Sequence, residues 1–398
     1  ACASPEPAPT PTPTATLAPS GDGVLRIGTL IPTSGVFTFL GAAQTAGVDT
    51  AIKEINDAGG VNGALVEVVH RNSGDATTTK VEESMADLIT QRADVVIGPS
   101  SSALAERIIP IAAAQAITVI SPAATLPGLA DVSGSQFFFR TVPSYARQGV
   151  ALARAISQAG PQTVGIVYIN DDSGKALVPV LTDALGAEGS AIVASVTVPA
   201  AEKDYTGIID EVKKADPNVV VLVTSYTALD VTKALITKLV AAGLGGTKLW
   251  LTTQNTGDYS QALPAGLIKG VNGIIEGFEP DAAFIERLKQ SDSKLTQFRY
   301  AAESYDATIL AALAAIVGRD DGGASVAASL VDVSRGGIKC TSFGECLDVL
   351  KTGNDIDYDG ISGPLNFTAE HDVAPAFYGL FSFNAENKFV FARGIVAG

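Results

Sequence analysis

Three consecutive serines, Ser100, Ser101 and Ser102, follow the apolar run DVVIGP and precede ALAERIIP, a segment with helical spacing. Serine at a helix start caps free backbone N–H groups, and those N–H groups together with hydroxyls receive an anion such as a carboxylate. A cap needs one hydroxyl; three in succession at a strand end suit an anion receptor equally well. A second segment, ITVISPAATLPGL, sets Ser121-Pro122 in an extended turn, small Ala123 and Ala124 where backbone can approach a ligand, and Thr125 beside them. Alone, that stretch reads first as an ordinary connecting loop. Phe37 and Phe39 stand in a Gly-flanked loop, TSGVFTFLG, and serve either a core or an apolar ligand wall.

Other chemistries lack their residues. With two histidines and three cysteines in the chain, the common zinc ligand sets do not assemble at recognisable spacing, and no metal is expected. A dinucleotide site needs GxGxxG between strand and helix. The nearest stretch, GLGGT at 243–247, follows a helix and precedes a strand. No GxSxG nucleophile elbow occurs, and neither histidine neighbours a serine motif, so the chain does not read as an enzyme and no cofactor is expected. A net charge of −15 argues against nucleic-acid binding and suits a soluble, monomeric surface.

The elements that position these loops alternate. VLRIGTLI, LVEVVH, DVVIG and ITVIS read as strands separated by amphipathic helices such as AGVDTAIKEIND, and the series repeats with TVGIVYI, AIVASVTV, VVVLVTS and KLWLTT. Strands bounded by helices at this rhythm predict mostly parallel sheets with helices on both faces, and 398 residues suffice for two such lobes. Ligands of open parallel sheets bind beyond the carboxyl ends of strands, where both serine-containing segments fall.

Residues 3–22 are Pro-, Thr-, Ala- and Ser-rich and cannot bury a core, so 1–23 reads as a tether. Ala1-Cys2 followed by this spacer resembles a mature bacterial lipoprotein, in which Cys2 carries the lipid. Cys340 and Cys346 enclose CTSFGEC, a spacing acceptable for a local disulfide and wrong for a CxxC redox pair, the alternative being two reduced thiols packed near a helix. A disulfide would agree with an extracytoplasmic address.

From Val24 onward, IGTLIPTSG, INDAGGVNG, VIGPSSS, ISPAAT, FRTVPSYARQG, KDYTGIIDEVKKADPNVVVL and DIDYDGISGPLNF together resemble the leucine/isoleucine/valine-binding family. These are the type I periplasmic binding proteins of branched-chain amino acid ABC transporters. The resemblance implies an α/β fold of two doubly wound lobes, crossed three times, near Val142, Gly277 and Ser362. Lobe I would then hold 24–142 and 278–361, and lobe II 143–277 and 362–398, closing by hinge motion on a ligand between them. It implies that Ser102, Ala123 and Thr125 hold a ligand carboxylate, that Tyr226 makes an aromatic contact, and that Ser173 stands where a tyrosine is frequent.

Two positions depart from the pattern. Gln254 and Tyr145 occupy places where amino-acid receptors of this family usually carry acids. A buried ammonium without an anion costs several kcal/mol. Either Glu276 or Glu279, near the second crossing, replaces the missing acid, or the ligand has no free ammonium. The first expectation is a carboxylate with an apolar or aromatic body packed by Phe37 or Phe39 and Tyr226. The resemblance further implies an extracytoplasmic protein serving the permease and ATPase subunits of an importer. A ligand sensor acting on a membrane signalling partner is the alternative on the same fold.

Overall fold

The structure is a computed structural model that describes residues 20–398; Cys2 and most of the tether lie outside the described residues. In the first lobe, β1 (Arg26–Ile31), α1 (Gly41–Asp57), β2 (Glu67–Asn72), α2 (Lys80–Thr90), β3 (Val95–Ile97), α3 (Ser102–Ala114), β4 (Thr118–Ser121) and β5 (Phe138–Arg140) follow one another. The strands form one parallel sheet in the order β2-β1-β3-β4-β5. Alternate side chains of β1 serve opposite faces: Ile27 and Ile31 join the core under α1, and Leu30 joins Val81, Met85 and Leu88 of α2. Burial on both faces is why these strands are continuously apolar.

The chain then passes through Val142 into α4 (Tyr145–Ile156), β6 (Thr163–Ile169), α5 (Asp172–Ala187), β7 (Ala191–Val198), α6 (Thr206–Lys214), β8 (Val219–Val223), α7 (Leu229–Ala241), β9 (Leu249–Leu251) and β10 (Asn272–Glu276). Val219, Val221 and Val223 face α4 and α5, while Val220 and Leu222 face α6 and α7. The chain crosses back at Gly277 and adds α8 (Ala282–Ser291), α9 (Ala301–Gly318), α10 (Gly323–Val333), β11 (Ile338–Cys340), α11 (Phe343–Lys351) and β12 (Ile356–Tyr358) to the first lobe. Helix α9, apolar but for a few polar side chains in its first half, is buried between α1 and α10, the pattern of a core helix. Cys340 and Cys346 form a disulfide that ties β11 to α11.

The return, expected at Ser362, is drawn out. Asp306 in α9 accepts hydrogen bonds from the Ile361 and Ser362 N–H groups. Phe367 then meets Phe139 edge-on and His371 stacks on the same ring. Side chains through Val373 therefore belong to the first core, and the second sheet is entered only at β13 (Ala376–Phe383), followed by β14 (Phe389–Ala397). These two strands add antiparallel to β10, giving the order β14-β13-β10-β9-β8-β6-β7.

Candidate functional site

The carboxyl ends of β3 and β4 are stapled by serine hydroxyls. Gly98 closes β3 at φ +116°, and a Cβ there would lie 2.3 Å from the Leu30 carbonyl oxygen, so only glycine brings the next three serines to this place. Ser102 opens α3; its Oγ accepts from the N–H groups of Thr125 (3.0 Å) and Leu126 (3.1 Å). Ser121 Oγ accepts from the Ala124 N–H (2.9 Å) and donates to the Pro99 carbonyl (2.7 Å). Ser100 donates to Gln44, and Ser101, although at the N-cap, makes no side-chain cap. The Ser102 proton has no acceptor among the described residues and remains free to donate.

Opposite, the second lobe presents Tyr145, Ser173, Tyr226 and Gln254. The buried Tyr145 N–H donates to the Thr125 carbonyl (2.9 Å), linking the lobes, and its hydroxyl donates to Ser173 (3.2 Å). Burial pushes the Tyr145 phenol up to about 12, so it is a neutral hydrogen-bonding group at physiological pH. Ser173 lies in the first turn of α5, where Asp171 caps the Gly174 N–H. Tyr226 donates to the Thr253 carbonyl (2.9 Å), and the Thr252–Thr256 turn carrying Gln254 is held by Asn255, which donates to Leu222 and Thr224.

Ser102, Ala123, Thr125, Tyr145, Ser173, Tyr226 and Gln254 all line one cavity of about 150 Å³, together with Phe37, Tyr300 and the exposed Asp172 at the start of α5. Phe39 is placed elsewhere: half its surface is exposed, its ring meets Tyr226 edge-on at 5.6 Å, and it lines a larger neighbouring cavity of about 670 Å³. The two cavities share Tyr226, Gln254 and Tyr300.

The carboxylate of Glu276 is already spent. It is 4% exposed and pairs with Arg299 at 2.9 Å, while Tyr300 approaches it at 3.4 Å. Arg299 also donates to the carbonyls of Thr253 (2.5 Å) and Thr256 (3.3 Å) and faces the rings of Tyr226 and Tyr300. Burial opposes the Arg299 charge, but the surrounding Tyr226, Tyr300 and Glu276 oxygens outweigh it and hold the guanidinium above its usual value. Glu276 thus balances an arginine of this chain and is not a vacant partner for a ligand ammonium. Glu279 is exposed at the edge of the larger cavity.

Sequence reasoning passed over Arg299, Tyr300 and Glu303. Tyr300 sits at φ +60°, a left-handed conformation that a bulky residue adopts only where its surroundings fix it. Glu303 is 5% exposed, and burial pushes its carboxyl up to about 8. The signal was available: two acids, Glu303 and Asp306, interrupt an otherwise apolar helix, and buried carboxylates are rare without a task. Among the described residues no group of three His, Cys, Asp or Glu side chains could hold a metal.

The model for the family described as periplasmic binding protein matches residues 24–381. The chemotactic signal transduction system substrate-binding protein BasB of Halobacterium salinarum is 28% identical over 358 residues, 86% of this chain and 83% of that protein. Among solved structures, the branched-chain amino acid transporter substrate-binding protein LivJ of Streptococcus pneumoniae, in complex with isoleucine, superposes with a TM-score of 0.69 at 19% identity, covering 93% of this chain and 100% of the other. An ABC transporter solute-binding protein of R. palustris in complex with benzoate gives a TM-score of 0.69 at 21% identity, covering 94% and 97%. Two lobes, mostly parallel sheets and a cleft at the strand ends agree with these matches, and the chain belongs to the periplasmic binding protein family, in the type I group that includes the leucine/isoleucine/valine-binding proteins.

Proposed function

We propose that this protein captures a small carboxylate-bearing solute, an amino acid or a related apolar or aromatic carboxylate, for delivery to an ABC importer. The observation that carries this reading is the composition of the smaller cavity. Its first-lobe wall offers the side chains of Ser102 and Thr125, and its second-lobe wall offers the neutral groups Tyr145, Ser173, Tyr226 and Gln254 together with one acid, Asp172. A carboxylate finds hydroxyl donors there; of the acids nearby, Glu276 is held by Arg299, whereas Asp172 pairs with no described residue and can meet a ligand ammonium. The R. palustris neighbour in complex with benzoate supports the aromatic-acid side of this reading, and the LivJ neighbour in complex with isoleucine supports the amino-acid side.

In this reading the lobes hinge about their three connections and trap the ligand, the Cys340–Cys346 disulfide suits an extracytoplasmic address, and a lipid on Cys2 tethers the protein to the membrane outside face. The deciding experiment is a thermal-shift screen, followed by calorimetry, of benzoates, aliphatic carboxylates and the corresponding α-amino acids. A ligand at 100 times its Kd stabilises by about 2.7 kcal/mol. The reading expects at least one of these carboxylates to stabilise, and any advantage of an α-amino acid over the matched plain acid to be lost in Asp172→Asn. An advantage that survives Asp172→Asn would rule out Asp172 as the ammonium partner, and silence across the panel would overturn capture of a carboxylate.

A further inference from the structure

The larger cavity is four times the size of the one that holds the expected carboxylate residues, about 670 against about 150 Å³, and the two meet at Tyr226, Gln254 and Tyr300. It is walled by both lobes: Phe39 and Glu303 come from the first, Tyr226 and Leu229 from the second. Arg299 is the single cation among its lining residues, and Glu276 already balances it. Three further acids, Asp258, Glu279 and Glu303, line the same space. Asp258 and Glu279 are exposed and water can solvate them. Glu303 is different, since it is nineteen-twentieths buried and accepts no side-chain hydrogen bond or ion pair from any described residue. A carboxyl group kept in such a place pays a desolvation penalty that a cation entering the cavity would relieve. The aromatic faces of Phe39, Tyr226 and Tyr300 add attraction for the same charge.

We propose that the larger cavity is a second ligand chamber, which receives the cationic far end of an elongated carboxylate whose acid group is held at Ser102, with Glu303 as the cation's partner. This rests on the capture reading and narrows its substrate class to ω-ammonium or ω-guanidinium acids.

The test compares, by calorimetry on the full chain, pentanoate, hexanoate and octanoate with 5-aminopentanoate, 6-aminohexanoate and 8-aminooctanoate. At least one ω-amino acid is expected to bind tenfold or more tightly than the plain acid of equal length. In Glu303→Gln that preference falls to within about twofold. Leu229→Trp, which fills the chamber from its exposed rim, is expected to reduce the same preference and serves if the first variant does not fold. Equal or tighter binding of the plain acids, or a preference that survives Glu303→Gln, overturns the second chamber while leaving capture at Ser102 standing. If neither series binds, the capture of carboxylates fails and this inference with it.

Discussion

Ser102 does two jobs with one hydroxyl. Its oxygen accepts two backbone N–H groups, and in the proposed reading its proton serves the ligand carboxylate. Ser102→Ala is therefore expected to weaken carboxylate binding about 10- to 100-fold, the worth of one hydrogen bond to a charged group, and to lower stability by about 1 kcal/mol through the two released amides. Titration calorimetry and thermal melts separate the two effects. Residues of this kind were legible in the sequence because they follow strand ends and belong to short motifs. Glu303 was not, since its meaning depends on which faces of α9 are covered and on the passage of Gly277 over it. A Cβ at Gly277 would lie 2.7 Å from the Glu303 carboxylate. Glu303 also predicts a pH effect. Its carboxyl titrates near 4.5 when unfolded and about 8 in the native protein, so the native state retains a proton that the unfolded chain releases between these values. Its contribution to stability is present below 4.5 and is lost as pH rises through 8. Glu303→Gln removes that loss, and its melting temperature relative to the wild type should rise from pH 5 to pH 8.

The alternation of strands and helices was visible because strands covered on both faces are continuously apolar, and helices on a sheet carry one apolar stripe. The third connection was placed too early for a reason that composition does not reveal. Around Ser362 the sequence looks like a turn leading to a strand, yet Asp306 holds it to α9 by accepting from Tyr358 Oη (2.7 Å), Ser362 Oγ (2.6 Å) and the N–H groups of Ile361 (3.0 Å) and Ser362 (2.8 Å). A single side chain so organises the segment that leads to β13. The short β11–β12 pair escaped notice because two of the three residues of β11, Ile338 and Lys339, are exposed, so no continuously apolar run marks it. Asp306→Ala should cost about 3 kcal/mol by stranding four donors, most of them buried. Hydrogen exchange should show the loss first at Ile361 and Ser362, within the connection, before the sheets open; uniform exchange across both lobes would contradict this assignment.

At the scale of the molecule, the lobes are joined by more than their covalent connections. Arg299, on the first-lobe side, donates to Glu276 and to the Thr253 and Thr256 carbonyls on the second, and Phe39 meets Tyr226 across the same boundary. Glu276 is buried and Arg299 largely so, so removing one strands the other, whereas removing both leaves neither charge uncompensated. Arg299→Met and Glu276→Gln should each destabilise by about 3 kcal/mol, and the double variant by clearly less than their sum, with a coupling of at least about 1 kcal/mol in denaturant titrations. Lobe geometry supplies an independent readout. Because the pair and its carbonyl contacts hold the second crossing against the first lobe, the Arg299→Met variant should shift the unliganded protein toward an open form, seen as a larger radius of gyration in solution scattering. If the proposed capture holds, saturating carboxylate should restore the compact value, because a ligand bound by both lobes favours the closed arrangement by its differential affinity. Additive stabilities together with an unchanged radius would mean that the pair is a local feature of the cleft wall and that closure is set by the ligand alone.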